Sequence, residues 1–187
     1  MSRIVVTEFV SLDGVIDEPK WTFDFERGPE GDQFKWDELF EADALLLGRV
    51  TYEGFAAAWP SMGHDEFGQR MNGIEKFVVS STLADDEATW GPTTVIRGDV
   101  VAEIARLKSR PGGNLLVEGS SQLVQTLITH DLVDEYRVML FPIILGAGKR
   151  MFPASLAGPS TLSITSSATV GSGVVLLTCS PRQAAEQ

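Results

Sequence analysis

Short apolar runs recur along the first two thirds of the chain, and most of them lead into a segment with helical spacing. Residues 4–10, Ile-Val-Val-Thr-Glu-Phe-Val, are β-branched and apolar and read as a central strand, which Asp13-Gly14 then turns. Residues 32–42 have the spacing of a helix. The run Ala44-Leu45-Leu46-Leu47 stops abruptly at Gly48, which suits a strand buried on both faces. Helix formers fill 51–59, and Pro60 is expected to stop them. A short amphipathic helix over 65–72 precedes the strand 76–82. Residues 93–97 form a further strand, and Asp99 caps a helix over 100–108. The strand 114–118 then runs through Gly119-Ser120-Ser121 into a helix over 122–130.

From Asp134 the pattern changes. Residues 136–141, 162–164 and 174–178 read as strands with no helices between them. Alternating strands and helices followed by strands alone imply a mostly parallel sheet finished by antiparallel edge strands. Residues 18–31 hold Trp21, Phe23 and Phe25 among charges and prolines, and aromatics in so long a loop cover either the core or a ligand. The polar tail 181–187 is expected to fray.

A length of 187 residues suits a single domain spanning 1–187, with ample chain for a core. The net charge of −11 argues against nucleic acid, whose affinity rests on Lys and Arg. No apolar run reaches the roughly 18 residues that would cross a bilayer, so no membrane partner is expected. One cysteine, Cys179, excludes an intrachain disulfide and a multi-cysteine zinc site, so no metal is expected. The N-terminus enters a strand directly, without a signal-peptide pattern, which points to the cytoplasm.

Two junctions carry candidate chemistry. At Gly48-Arg49-Val50-Thr51 a strand ends in a glycine, a cation and a hydroxyl where a helix begins. Free N–H groups at a helix N-terminus bind phosphate, and an arginine adds a charge-assisted fork. The other reading is a core strand whose exit arginine sits in water. Gly119-Ser120-Ser121 forms a second such junction, suited to a pyrophosphate. Ser80-Ser81-Thr82 are three hydroxyls at a strand exit, either turn formers or ligand contacts. Other motifs are missing: Ile143 stands where a Walker loop before Gly148-Lys149 needs glycine, no Gly-x-Gly-x-x-Gly follows the first strand, and no Gly-x-Ser-x-Gly elbow is present.

Four motifs in order, Ser11-Leu12-Asp13-Gly14, Leu47-Gly48-Arg49-Val50-Thr51-Tyr52, Val117-Glu118-Gly119-Ser120, and Val133-Asp134-Glu135 followed by Pro142-Ile143-Ile144-Leu145-Gly146, span nearly the whole chain. Together they resemble the dihydrofolate-reductase-like family, most of all the C-terminal reductase domain of the bifunctional riboflavin-biosynthesis deaminase–reductase. The resemblance implies a three-layer α/β fold: a mostly parallel central sheet, helices on both faces, and antiparallel C-terminal edge strands. It implies a reductase taking hydride from NADPH and acting on a small polar heterocycle such as 5-amino-6-(5-phosphoribosylamino)uracil. By the same resemblance Gly48, Arg49, Thr51 and Tyr52 meet cofactor phosphates, and Ser80, Ser81 and Thr82 lie by the adenosine. Gly119, Ser120, Ser121, Gln122 and Leu123 take the pyrophosphate, while Asp13 and Glu118 face the substrate.

Two departures bear on these assignments. Dihydrofolate reductases have a cis Gly-Gly peptide where this chain has Gly119-Ser120, which leaves the cis state open. Counting back from Gly48 puts Asp32 at the place of the pterin-binding carboxylate, which the riboflavin-type reductases do not use as a signature. A dihydrofolate or pterin reductase, or an NADPH-binding protein without efficient catalysis, are the alternative readings. The apolar C-terminal strands are expected to pair in a symmetric homodimer.

Overall fold

In the computed structural model, which describes residues 1–182, the apolar runs pair into one eight-stranded sheet. Its strands are β1 (Arg3–Ser11), β2 (Ala42–Gly48), β3 (Glu75–Val79), β4 (Thr93–Ile96), β5 (Asn114–Val117), β6 (Glu135–Phe141), β7 (Leu162–Val170) and β8 (Val174–Pro181). They lie in the order β4-β3-β2-β5-β1-β6-β8-β7. The first six run parallel, β8 pairs antiparallel with β6, and β7 pairs antiparallel with β8 at the edge. The expected mostly parallel sheet with antiparallel C-terminal strands is therefore present.

Among the described residues the helices are α1 (Gly28–Phe40), α2 (Arg49–Met62), α3 (Glu66–Gly73), α4 (Val100–Lys108) and α5 (Ser121–Thr129), with a 3-10 turn at Pro19–Asp24. Alternate residues of the central strands serve opposite faces, so each apolar run fills two cores at once. Ile4, Val6, Leu46, Leu115 and Val117 pack under Ile104 and Leu107 of α4 and Leu123, Val124 and Leu127 of α5. Val5, Leu45, Leu47, Val78 and Leu116 pack on the other face under Leu39 of α1, Tyr52 of α2 and Met71 of α3. A third cluster, around Met139, Phe141 and Leu176, is closed by Trp21, Phe25 and Phe34. Two of the three loop aromatics thus cover core, both edge-on to Phe141, while Phe23 is exposed.

Helix boundaries differ from the expectation in two places. α1 begins at Gly28, with Pro29 in its first turn, where a missing N–H costs nothing. Pro60 lies inside α2 rather than ending it, and the helix continues to Met62. It falls in the last turn, where continuing the helix needs only a few more bonds. Asp99 caps α4 as expected, its side chain accepting from the Ala102 N–H at 3.0 Å, and Asp65 does the same for α3 from Gly68 at 2.8 Å.

Tyr52 is a core residue and cannot reach a bound molecule with its side chain. It is 1% exposed, and its hydroxyl accepts from the buried Trp90 N–H at 2.9 Å. Tyr52→Phe strands that donor, so it should cost about 1–3 kcal/mol in chemical denaturation. NADPH affinity, measured on the same sample by fluorescence, should not change.

Candidate active site

The site follows from the order in which the strands are laid down. β5 is inserted between β1 and β2, so neighbouring strands β2 and β5 send their helices to opposite faces. Where that happens the strand ends part and leave a crevice, the usual ligand position in open α/β sheets. Here the crevice is bounded by the Gly48 and Gly119 turns, joined by a hydrogen bond from the Gly48 N–H to the Gly119 carbonyl at 3.2 Å.

The two turns approach too closely for side chains. A Cβ on Gly48 would lie 2.4 Å from Ser120 Oγ and 3.1 Å from Ser120 N. Gly119 has φ +81°, which strains any L side chain, and the peptide to Ser120 is cis. Gly48 caps α2 and Ser120 caps α5, and neither provides a side-chain hydrogen bond to its helix. α3 and α4, away from the crevice, do have such bonds. The first-turn N–H groups of α2 (residues 49–51) and of α5 (residues 121–123) therefore stay open towards the crevice, with both helix dipoles adding positive potential. Two converging N-termini fit the two phosphates of a dinucleotide.

Arg49 stands at the mouth of this cradle and is bound by Glu53 one turn on, at 2.8 and 2.9 Å. Both side chains are partly exposed, so the pair is worth at most about 1 kcal/mol and yields readily to a phosphate. Thr51 Oγ1 lies 3.0 Å from the point where a Gly119 Cβ would stand, inside the cradle. Ser121 and Gln122 lie at the surface of the α5 start, whereas Leu123 is buried and offers only its backbone.

The other expected residues are distributed differently. Ser80 is buried, and its Oγ accepts from Thr82 N at 3.1 Å and Leu83 N at 2.9 Å, which is turn chemistry. Ser81 and Thr82 are exposed beside it. Asp13 braces a loop: it accepts from Ser11 Oγ at 2.7 Å, Leu145 N at 3.1 Å and Gly146 N at 2.9 Å. The Ser11 hydroxyl and the two backbone N–H groups hold its carboxyl down at about 2. Asp32 does not enter the site; it is exposed on α1 and pairs with Arg27 at 3.2 Å.

What α1 turns towards the sheet instead is Lys35 and Glu38. Lys35 Nζ lies 2.6 Å from Glu38 Oε2, 3.2 Å from Glu118 Oε1 at the end of β5, and 3.2 Å from Thr7 Oγ1 on β1. Thr7 in turn donates to Glu38 Oε1 at 2.8 Å. Lys35 also sits 5.3 Å from the centre of the Phe9 ring. Burial opposes its charge, but Glu118 and Glu38 outweigh that and raise its pKa above the ordinary lysine value. Burial pushes the Glu38 carboxyl up against the pull of Lys35.

Glu8, the next residue of β1, leaves the strand on the side opposite Thr7 but stays within electrostatic reach of Lys35 and Glu118. Its Oε1 is buried without a hydrogen-bond partner. Burial first, then the nearby Glu118 charge, push its carboxyl up to about 8, against opposing contributions from Lys35 and the Gly119 N–H. Among the described residues no group of three His, Cys, Asp or Glu is placed to hold a metal ion. Of this cluster the sequence reading found only Glu118. Glu8 was legible as a carboxylate inside an otherwise apolar strand, whereas Lys35 and Glu38 are charges on the inward face of a helix, where a periodicity argument expects apolar residues.

A mostly parallel α/β sheet with a crevice at its switch point, beside an ionic cluster, is the fold that the motifs suggested. The family model of the RibD C-terminal domain matches residues 2–176, and the chain belongs to that family. It is 28% identical over 183 residues to uncharacterized protein YyaP of Bacillus subtilis (strain 168), covering 92% of each chain. It is 30% identical over 145 residues to YwjB of the same organism, covering 76% of this chain and 78% of YwjB. Among solved structures, a putative riboflavin biosynthesis protein from Shewanella sp. PV-4 superimposes with a TM-score of 0.79 at 22% identity, over 97% of this chain and 99% of that one. The diaminohydroxyphosphoribosylaminopyrimidine deaminase/5-amino-6-(5-phosphoribosylamino)uracil reductase of Thermotoga maritima superimposes with a TM-score of 0.66 at 14% identity, over 97% of this chain and 57% of that one.

The Glu8 environment predicts a pH-dependent stability. An unfolded glutamate loses its proton near pH 4.5 and native Glu8 near 8, so between these values the native state binds more protons than the unfolded one. Stability from this group is complete below pH 4.5 and declines as pH rises to 8. Asp13, whose pKa is lowered, acts with the opposite sign, but below pH 4. Lys76, lowered to about 8 by burial, acts above pH 8. Melting temperatures measured from pH 5 to 8 should therefore fall in the wild type, and the fall should be shallower in Glu8→Gln.

Proposed function

We propose that the protein is an NADPH-dependent reductase of the riboflavin-biosynthesis reductase type, acting on a small polar heterocycle such as 5-amino-6-(5-phosphoribosylamino)uracil. The observation that carries this reading is the pair of uncapped helix N-termini converging on the crevice between the Gly48 and Gly119 turns. A pyrophosphate there meets backbone N–H groups and Arg49, in a protein whose overall charge of −11 would otherwise repel it. Bound NADPH supplies a hydride.

The chain's own residues do the rest. The glycine turns let backbone approach the phosphates, and Arg49 exchanges Glu53 for phosphate oxygens. Lys35, whose three N–H groups are held by Glu38, Glu118 and Thr7, supplies a fixed positive charge, and Glu118 supplies a carboxylate acceptor that suits a ring carrying amino groups. Phe9 provides an apolar wall beside the ammonium. Holding the acceptor against the cofactor in this geometry supplies the orientation that hydride transfer needs. The exposed position of Asp32 removes the carboxylate that counting along the sequence had offered to a pterin, although α1 turns a different one, Glu38, inward.

The preference for NADPH over NADH rests on the same family and on Arg97, which pairs with the exposed Asp85 at 2.9 Å beside the Ser81-Thr82 turn. The test is a paired substitution. Arg49→Ala should weaken NADPH binding by about 1.5–3 kcal/mol, read by fluorescence titration. Glu118→Gln should leave that affinity intact while turnover or substrate affinity falls at least tenfold, about 1.4 kcal/mol. Unchanged NADPH affinity in Arg49→Ala sinks the cofactor assignment, and collapse of NADPH binding in Glu118→Gln moves that residue to the cofactor side.

A symmetric homodimer through the C-terminal strands is the assembly we propose. β7 is an unpaired edge with Ile164 66% exposed, and edge strands of this kind are normally covered. Light scattering at micromolar concentration should return twice 20.3 kDa, and the monomer mass would refute it.

A further inference from the structure

β1 pairs with β5 so that Val6 lies opposite Val117, which sets Thr7 beside Glu118 and Glu8 beside Gly119. Glu8 therefore stands at the seam between the phosphate cradle and the ionic cluster. The point a Gly119 Cβ would occupy is 3.0 Å from Thr51 Oγ1 in the cradle and 3.7 Å from Glu8 Oε1. That oxygen is buried and has no hydrogen-bond partner, although every other acidic group of the cluster meets Lys35 within 3.2 Å. A carboxyl with an unsatisfied buried oxygen costs stability, and an apolar residue would serve β1 better if packing were the only demand. An unsatisfied polar atom at the meeting point of two subsites calls for a function.

We propose that Glu8 is the proton donor of the reduction: its carboxylic acid protonates the heteroatom of the substrate's C=N or C=O bond. The proposal rests on the reductase reading above. As the carbon accepts the hydride supplied by a reduced nicotinamide, the π-electron pair moves onto the heteroatom. The Glu8 O–H bond breaks, and an N–H or O–H bond forms. The Glu8 carboxylate left behind takes a proton from solvent before the next turnover. Charge is conserved, since one hydride and one proton are added to one double bond.

The groups facing Glu8 suit this task. Lys35 from α1 stabilises the carboxylate once the proton has left, and the Gly119 N–H from the β5 turn does the same. Glu118 from β5 favours the acid form before the step, in concert with burial. Glu38 keeps Lys35 charged and in place. Arg137 on β6 is committed to Glu135 at 2.6 Å and Glu41 at 2.7 Å and does not compete. An acid that titrates near neutral pH combines a large protonated fraction with ready transfer, the condition for efficient general-acid catalysis.

The direct test is a carboxyl titration of the full chain labelled with 13C-glutamate, followed by NMR. The wild type should show a glutamate titrating above pH 7 that is absent from Glu8→Gln. Both proteins should still bind NADPH, because the contacts expected to hold its pyrophosphate are made by the Gly48 and Gly119 turns and Arg49, not by Glu8. With 5-amino-6-(5-phosphoribosylamino)uracil as acceptor, kcat of the wild type should decline above pH 8. Glu8→Gln should lower kcat about 100-fold or more and abolish that decline, with KM little changed. Glu8→Asp, which keeps the acid but withdraws it by one methylene, should retain a high-titrating carboxyl and still turn over slowly. A wild type that binds NADPH but has no glutamate titrating above pH 7 overturns the proposal alone, as does a Glu8→Gln with wild-type kcat. A wild type that fails to bind NADPH overturns the reductase reading and the proposal with it.

Discussion

The insertion of β5 between β1 and β2 is the constraint from which the rest follows. Parallel strands need crossovers, and right-handed crossovers running in opposite directions across the sheet must use opposite faces. α2 leaves β2 for one face and α5 leaves β5 for the other, so the two helices diverge while their N-termini stay side by side at adjacent strand ends. Nothing can cover the space between them without crossing the sheet edge. The same insertion forces the Gly48 and Gly119 turns into contact, and both positions must then lack a side chain. Loss of the insertion would remove the crevice, the glycine requirement and the open N–H groups together.

Beside that crevice the protein keeps a cluster that packing alone would disfavour. Glu38 is fully buried and Lys35 and Glu118 nearly so, and each carries a cost of leaving water that only its partners offset. Removing Lys35 would leave two carboxylates facing each other and should cost about 3–5 kcal/mol, the range for breaking a buried pair. Such clusters are tolerated where chemistry needs fixed charges, and perturbed groups gather at those places. Lys76 is the instructive contrast. It is more completely buried than Lys35, but its ammonium is held by the Asn72 and Ile74 carbonyls and the Trp90 ring, far from the crevice, and it acts as packing.

Much of this architecture was readable from residues alone, because the strands are apolar on both faces and the breaks between them are marked by glycine. Asp99 announced α4, the Gly119-Ser120-Ser121 turn announced α5, and the loss of helices after Asp134 announced the antiparallel edge. Local reading misjudged Pro60, since a proline near a helix end costs little, and Tyr52, whose hydroxyl serves the core. It also selected Asp32 by spacing, although spacing cannot say which way a helix turns its charges. Lys35 and Glu38 became visible only when α1 docked on β1, and Glu8 only when β5 brought Gly119 alongside. Residues that matter because of what lies across the sheet have no local signature.

The central claim is that the two helix N-termini form one dinucleotide cradle with the acidic cluster at its far end. A crystal structure of the full protein with NADPH tests this most directly. The account predicts the pyrophosphate within hydrogen-bonding distance of the N–H groups at the starts of both α2 and α5, and the nicotinamide ring beside Glu8 and Glu118. A pyrophosphate bound at only one of these helices, or a nicotinamide pointing away from Lys35 and Glu8, would contradict it.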